Sequence, residues 1–307
     1  MKKVLLATDG SPFADDAAKF LAHLPHDEKL ELYVLTVLDD PSVARGYAAS
    51  VSMQELVERE KETARKAYES IETMFAGSNA TLHSIVKEGH RGETIVEVAK
   101  QKDVDLIVVG ARGHSMVSRL VLGSTSDFVA THAHCSVVVI RSTGFLTADR
   151  PLRIVVGYEQ SGPAQAALEE FAEISWGRQT DVHLVTVVSY MTGLLNEVVP
   201  DPEPLLDAAR EVVERAAKQL RSSAPNTVGD VVASEHAGEG LVRYAEEHQS
   251  DLLVVGETQR SPLGRFLLGS FSRYVLRHAP CSVWISRNRT IRGTKKANEV
   301  EAASSSS

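Results

Sequence analysis

The residues of this chain best suited to chemistry lie in Gly110-Ala111-Arg112-Gly113-His114, continued at Gly123-Ser124-Thr125-Ser126. Glycine lets the main chain turn sharply and approach a ligand closely. Successive N–H groups in such a loop make a concave surface that attracts anions. The hydroxyl residues stand where a helix should begin, so its unpaired N–H groups and positive dipole end point at the same place. Arg112, His114 and Arg119 fall within the loop. The chemistry implied is phosphate binding. The competing reading is an ordinary strand-to-helix connection, where Gly and Ser are also common. Two glycine steps followed by Gly-Ser-Thr favour phosphate. No Gly-Lys-Ser/Thr is present, so this is not a Walker A loop.

The loop needs a strand before it and a helix after it. Asp105 to Val109 is an apolar, β-branched run of the kind found in buried parallel strands. A helix is expected over Ser124–His132, and a fifth strand over Ser136–Arg141. Upstream, the pattern predicts strands over Lys3–Thr8, Glu31–Leu38 and Ala80–Lys87, with helices over Phe13–His23, Met53–Phe75 and Gly92–Lys102. Asp9-Gly10-Ser11-Pro12 carries helix-start chemistry, with Ser11 as cap and Pro12 in the first turn. Asp39 to Ser52 is a long connection. Alternating strands and helices imply a parallel sheet covered on both faces. Ligands bind such sheets beyond the carboxyl ends of the strands. Asp9, Val37 and Gly110 lie at three such ends and would border one crevice if their strands are neighbours.

The unit occurs twice. Asp105-Leu106-Ile107-Val108-Val109-Gly110 matches Asp251-Leu252-Leu253-Val254-Val255-Gly256, Leu122-Gly123-Ser124 matches Leu268-Gly269-Ser270, and Cys135-Ser136-Val137 matches Cys281-Ser282-Val283. The offset is constant and about one domain long. Gly144 to Pro151 links the repeats and is short enough to keep them packed together. The fifth strands are short apolar edges that invite pairing. Val137–Ile140 could pair with Val283–Ile285 within one chain, making a pseudo-dimer; association of two chains is left open.

Gly110-x2-Gly113-x9-Gly123-Ser124 resembles the nucleotide loop of the universal stress protein family, in its ATP-binding branch. The resemblance implies two tandem Rossmann-like domains, each an open parallel five-stranded sheet with helices on both faces, of the adenine nucleotide α-hydrolase-like type. The domains would be residues 1–143, binding ATP, and 152–288, with a degenerate loop, followed by a disordered polar tail over 289–307. The resemblance places Gly110, Gly113, Gly123, Ser124 and Thr125 at phosphate-contacting positions, and Val37 where main chain meets the adenine edge. It places Thr8 and Asp9 beside the nucleotide. Asp9 would accept from ribose hydroxyls or help hold Mg2+; its alternative is to cap the first helix. Arg112 and Arg119 would screen phosphate charge or simply be solvated. In the second repeat Glu159 replaces Asp9, Gln259 replaces Gly113 and Phe271 replaces Thr125, while Glu257 adds negative charge to the loop. A side chain at Gln259 would crowd the phosphate path and resist a positive φ. The expectation is ATP in the first repeat and weak or no binding in the second.

Proteins of this family bind ATP, hydrolyse it slowly if at all, and act through partners. Two other readings stand beside that one. An ATP-activating enzyme of the same superfamily would carry a second glycine after the first strand, where Asp9-Gly10-Ser11-Pro12 has none. A nucleotide-free scaffold would have lost the glycine loop. Composition narrows the rest. The net charge of -8 argues against a nucleic-acid surface. No apolar run reaches the length of a membrane span, and Asp9 breaks the first apolar run too early for a signal peptide. Cys135 and Cys281 precede apolar strands as buried free thiols, which fits the cytoplasm. His132, His134 and Cys135 lack the acids that would complete a metal shell.

Overall fold

The computed structural model describes residues 2–25, 28–39, 53–113, 122–189, 203–257 and 268–287. The first repeat runs β1 (Lys3–Ala7), α1 (Pro12–His23), β2 (Leu30–Leu38), α2 (Met53–Met74), β3 (Ala80–Glu88), α3 (Arg91–Gln101), β4 (Leu106–Gly110), α4 (Ser124–His132) and β5 (Ser136–Ile140). The second follows with β6 (Leu152–Gly157), α5 (Gly162–Ala172), β7 (Thr180–Ser189), α6 (Glu203–Leu220), β8 (Thr227–Ser234), α7 (Ala237–Glu247), β9 (Leu252–Gly256), α8 (Ser270–His278) and β10 (Ser282–Ser286). The expected elements are all present, with ends displaced by a residue or so. Ser11 caps α1 by accepting from Ala14 N at 3.3 Å, and Pro12 fills its first turn.

The ten strands form one sheet in the order β3-β2-β1-β4-β5-β10-β9-β6-β7-β8. Pairing within each half is parallel. The halves meet where β5 and β10 pair antiparallel, Val137 opposite Ile285, Val138 opposite Trp284 and Val139 opposite Val283. This is the pairing expected of the two fifth strands. It turns two open five-stranded sheets into a continuous one. Alternate strand residues feed two cores, one per face, and each core crosses the seam. Val4, Leu6, Val108, Val138, Ile154 and Trp284 lie on the α1, α2, α5 and α6 side. Leu5, Ile107, Val137, Val155 and Val283 lie on the side of α3, α4, α7 and α8, with both free cysteines buried there.

The seam also buries charge. Arg141, just after β5, donates to Cys281 O (3.3 Å) and Leu276 O (2.7 Å). Its counterpart Arg287, just after β10, donates to Cys135 O (3.3 Å) and Ala130 O (2.5 Å). Each arginine thus ties its own strand to the facing repeat's last helix. Ser136 and Ser282 repeat the symmetry, accepting from Arg287 N and Arg141 N. Glu170 of α5 breaks it. This carboxylate is 8% exposed. It accepts from Ser136 Oγ at 2.8 Å and from Ser286 Oγ. Burial pushes its carboxyl up to about 7, against the pull of the two hydroxyls.

Candidate functional site

In the first repeat the chain starts at β1, moves outward to β2 and β3, then crosses back to β4 and β5. The ends of β1 and β4 are therefore the place where successive connections diverge to opposite sides. A cavity of about 750 Å³ opens there. Thr8, Asp9, Val37, Gly110, Arg112, Gly113, Gly123, Ser124 and Thr125 all line it. The structure brings these nine residues together around one cavity. Arg119 and His114 lie outside the described residues.

Strand register explains why Val37 faces the cavity. β1 pairs with β2 only as far as Ala7 opposite Leu35, and Thr8 N donates to Leu35 O at 2.9 Å. β2 continues to Leu38. Main-chain groups two residues apart on a strand face the same side. Val37 therefore turns its N–H and C=O toward the space where β1 has ended. A planar group with a donor and an acceptor on one edge would complete that ladder.

The glycines differ in what they are for. A Cβ on Gly110 would lie 2.8 Å from Phe13 O, so this glycine lets α1 cross the end of β4. Gly256 has the same relation to Pro163 O, at 2.4 Å. That glycine pair belongs to the fold in both repeats. A Cβ on Gly113 would instead lie 2.5 Å from Asp9 Oδ2. Gly113 does not have the left-handed φ that the sequence reading assumed for this position. Its constraint is the Asp9 carboxylate packed directly beside it. Gln259, the corresponding residue, lies outside the described residues. Asp9 is not the cap of α1, since Ser11 is; its Oδ1 accepts from Ser11 N at 3.0 Å.

At the start of α4, Gly123 makes no side-chain cap. The first-turn N–H groups of that helix keep their positive end toward the cavity. Of the three hydroxyl residues, Ser126 is committed elsewhere: it is buried and donates to Gly110 O at 2.7 Å. Ser272 does the same for Gly256 O at 3.0 Å. Ser124 and Thr125 remain along the wall. The Arg112 guanidinium lies 4.6 Å from the Phe13 ring centroid, a cation–π contact that holds it at the rim.

Three charged residues of the cavity escaped the sequence reading. Arg91 of α3 binds Asp39 through Nε (3.0 Å) and Nη2 (2.8 Å). Asp127 lies in the first turn of α4. Arg277 comes from α8 of the other repeat. Spacing in the sequence could have flagged Asp127, one residue past the hydroxyl run; nothing local signals Arg277. Nor do His132 and His134 join a metal cluster: His132 stacks on Phe128 with centroids 4.0 Å apart, and no metal-holding group of His, Cys, Asp and Glu occurs among the described residues.

Charge distinguishes the two repeats beneath the loops. Glu257 does not add an exposed negative charge to the second loop, as its position suggested. It is 5% exposed and binds Arg287 Nε at 2.8 Å. Its counterpart is Ala111, buried and chargeless. Among the described residues no carboxylate pairs with Arg141. Burial lowers that guanidinium's pKa from its ordinary value, and Arg112 adds like-charge pressure. The buried arginine after β10 thus has a carboxylate partner in Glu257, whereas at the equivalent place in the first repeat Ala111 offers none.

The sequence model of the universal stress protein family matches residues 1–141 and 152–287. A universal stress protein of Methanocaldococcus jannaschii, MJ0531, is 33% identical over 141 residues, covering 46% of this chain and 82% of that one. The universal stress protein Rv2624c of Mycobacterium tuberculosis is 26% identical over 290 residues, covering 94% of this chain and 97% of its own. The crystal structure of a universal stress protein from Archaeoglobus fulgidus aligns over 93% of this chain and 96% of that chain, with a TM-score of 0.63 at 18% identity. At that identity the likeness speaks for the fold alone. Among the described residues no helix is long and apolar enough to cross a membrane.

Proposed function

The chain belongs to the universal stress protein family, and from that premise we propose that its first repeat, residues 1–143, binds ATP between the ends of β1, β2 and β4. The observation that carries this reading is the meeting, in one cavity of about 750 Å³, of the glycine loop, the α4 N-terminus and the open main-chain edge at Val37. The volume suits a nucleotide-sized ligand. The main chain of Val37 meets the adenine edge. Thr8 and Asp9 serve the ribose and the cation. Gly110, Gly113, Gly123, Ser124, Thr125 and Arg112 serve the phosphates. The donor set fits Mg2+ with ATP, because Asp9 is a carboxylate at the phosphate end and Mg2+ takes oxygen ligands. Bound there, Mg2+ supplies neutralisation of phosphate charge.

The second repeat, residues 152–288, binds nucleotide weakly or not at all. Support comes from Glu159 and Phe271 in place of Asp9 and Thr125, and from the carboxylate of Glu257, bound to Arg287, where the first repeat has Ala111. The protein then works in the cytoplasm as a stress-response regulator, through nucleotide-dependent association with a protein partner. Any hydrolysis is slow.

The test is the nucleotide content of protein purified without added nucleotide, followed by titration with Mg-ATP. Close to one ATP per chain is expected. Two per chain would overturn the assignment of the second repeat. Bound ADP would favour a slow ATPase, and no binding under titration would leave an interaction scaffold.

A further inference from the structure

Arg277 belongs to the second repeat but lines the cavity of the first. It arrives there because β5 and β10 pair antiparallel, which sets α8 beside α4 across the seam. Its Nη2 lies 3.4 Å from Asp127 Oδ1 and 3.3 Å from Oδ2. These are long contacts for a guanidinium and a carboxylate. The arginine side chain is 51% exposed. A pair of that kind is held weakly and can be redirected at little cost. Asp127 stands in the first turn of α4, three residues after Ser124, on the wall that the proposed site gives to phosphate. A bare carboxylate there would repel a polyphosphate, and the guanidinium beside it removes that repulsion.

The arrangement is one-sided. The counterparts of Asp127 and Arg277 under the repeat are Arg273 and Thr131. Thr131 is buried and too short to reach across. Among the described residues, Thr131 offers the second repeat no equivalent of the cation that Arg277 brings to the first.

We propose that Arg277 is a phosphate-contacting residue of the first site, delivered by the second repeat, and that it selects nucleotides carrying a phosphate chain over the nucleoside. Arginine meets phosphate oxygens through two parallel N–H groups, which lysine cannot reproduce. The second repeat then contributes to nucleotide binding without binding nucleotide itself. This rests on the ATP reading of the first site.

The experiment is calorimetric titration of the full chain and of its Arg277→Ala and Arg277→Lys variants with Mg-ATP and, separately, with adenosine. Arg277→Ala should weaken ATP about tenfold and adenosine by less than about twofold, with Arg277→Lys in between. The salt dependence of ATP binding should become shallower in Arg277→Ala. Because the side chain is half exposed, urea unfolding of the variants should match the parent and exclude misfolding. Unchanged ATP affinity in Arg277→Ala overturns the proposal and leaves the ATP site standing. Equal losses for ATP and adenosine also overturn it, since the side chain would then shape the cavity and not read phosphate. A parent chain that binds neither ligand overturns both.

Discussion

Replacing Glu170 by Gln should flatten the pH dependence of stability. The carboxyl is buried beneath the seam, and burial raises its pKa from 4.5 to about 7. The native state therefore holds this proton more tightly than the unfolded chain does. Between those two values native protein carries a proton that the unfolded chain has lost, so stability falls as pH rises. The penalty is absent below about pH 4.5 and complete above about pH 7. At about 1.4 kcal/mol for each pH unit, the full effect is about 3 kcal/mol. Most of it, roughly 2–3 kcal/mol, falls between pH 5 and pH 8. Glutamine keeps the shape and the acceptor for Ser136 and Ser286 but never ionises. Urea denaturation at pH 5 and pH 8 reads the difference. With a slope of about 3 kcal/mol per molar, the parent midpoint should drop about 0.8 M further than that of the variant over this interval. Other titrating groups contribute equally to both proteins and cancel. Parallel pH profiles would show that Glu170 stays ionised in the native state, stabilised by its two serines, and would refute the reasoning.

Three further outcomes follow from the seam and the loop. Glu257→Ala strands the buried Arg287 guanidinium and should cost about 3–5 kcal/mol in urea unfolding; a loss below about 1 kcal/mol would mean that the carbonyls of Cys135 and Ala130 suffice. Gly110→Ala drives a Cβ into the main chain of α1 and should cost about 1–3 kcal/mol of stability, whereas Gly113→Ala should leave unfolding unchanged and weaken ATP about tenfold by displacing Asp9; the reverse pattern would show that the roles of the two glycines have been exchanged. Cys135 and Cys281 are buried, and burial pushes the Cys281 thiol up to about 12. A disulfide-exchange reagent should label neither thiol in native protein and both after unfolding, and rapid native labelling would contradict the packing of the seam.

Much of this was legible in the sequence. Strand runs such as Leu106–Val109 are apolar on both faces because both faces are covered, and that continuity identifies a parallel sheet. The repeat offset carries the analogy from one half to the other, and the two apolar fifth strands were candidates for pairing with each other. What could not be read was anything that depends on the packing between elements. Glu257 looks like a loop residue until its burial beside Arg287, 30 positions away, turns it into a counter-ion. Ser126 looks like a ligand hydroxyl until its bond to Gly110 O shows that it closes the loop on its strand. Gly110 reads as a ligand glycine in the sequence, yet it is needed first by α1. Arg277 is 150 residues from Asp127, and only the antiparallel seam sets the two side by side.

The seam also changes the mass action of the molecule. Two separate copies pairing through their fifth strands would dissociate on dilution, and any contact across the junction would vanish with them. Joined by one covalent linker, the halves meet at a fixed effective concentration. The contact between Arg277 and Asp127 is then present in every chain, however few there are in solution. The duplication has also released the halves from identity. A symmetric pair must place the same residue at both ends of its axis, whereas this chain can put Arg273 and Thr131 opposite Asp127 and Arg277, so that one half holds the ligand and the other supplies the charge.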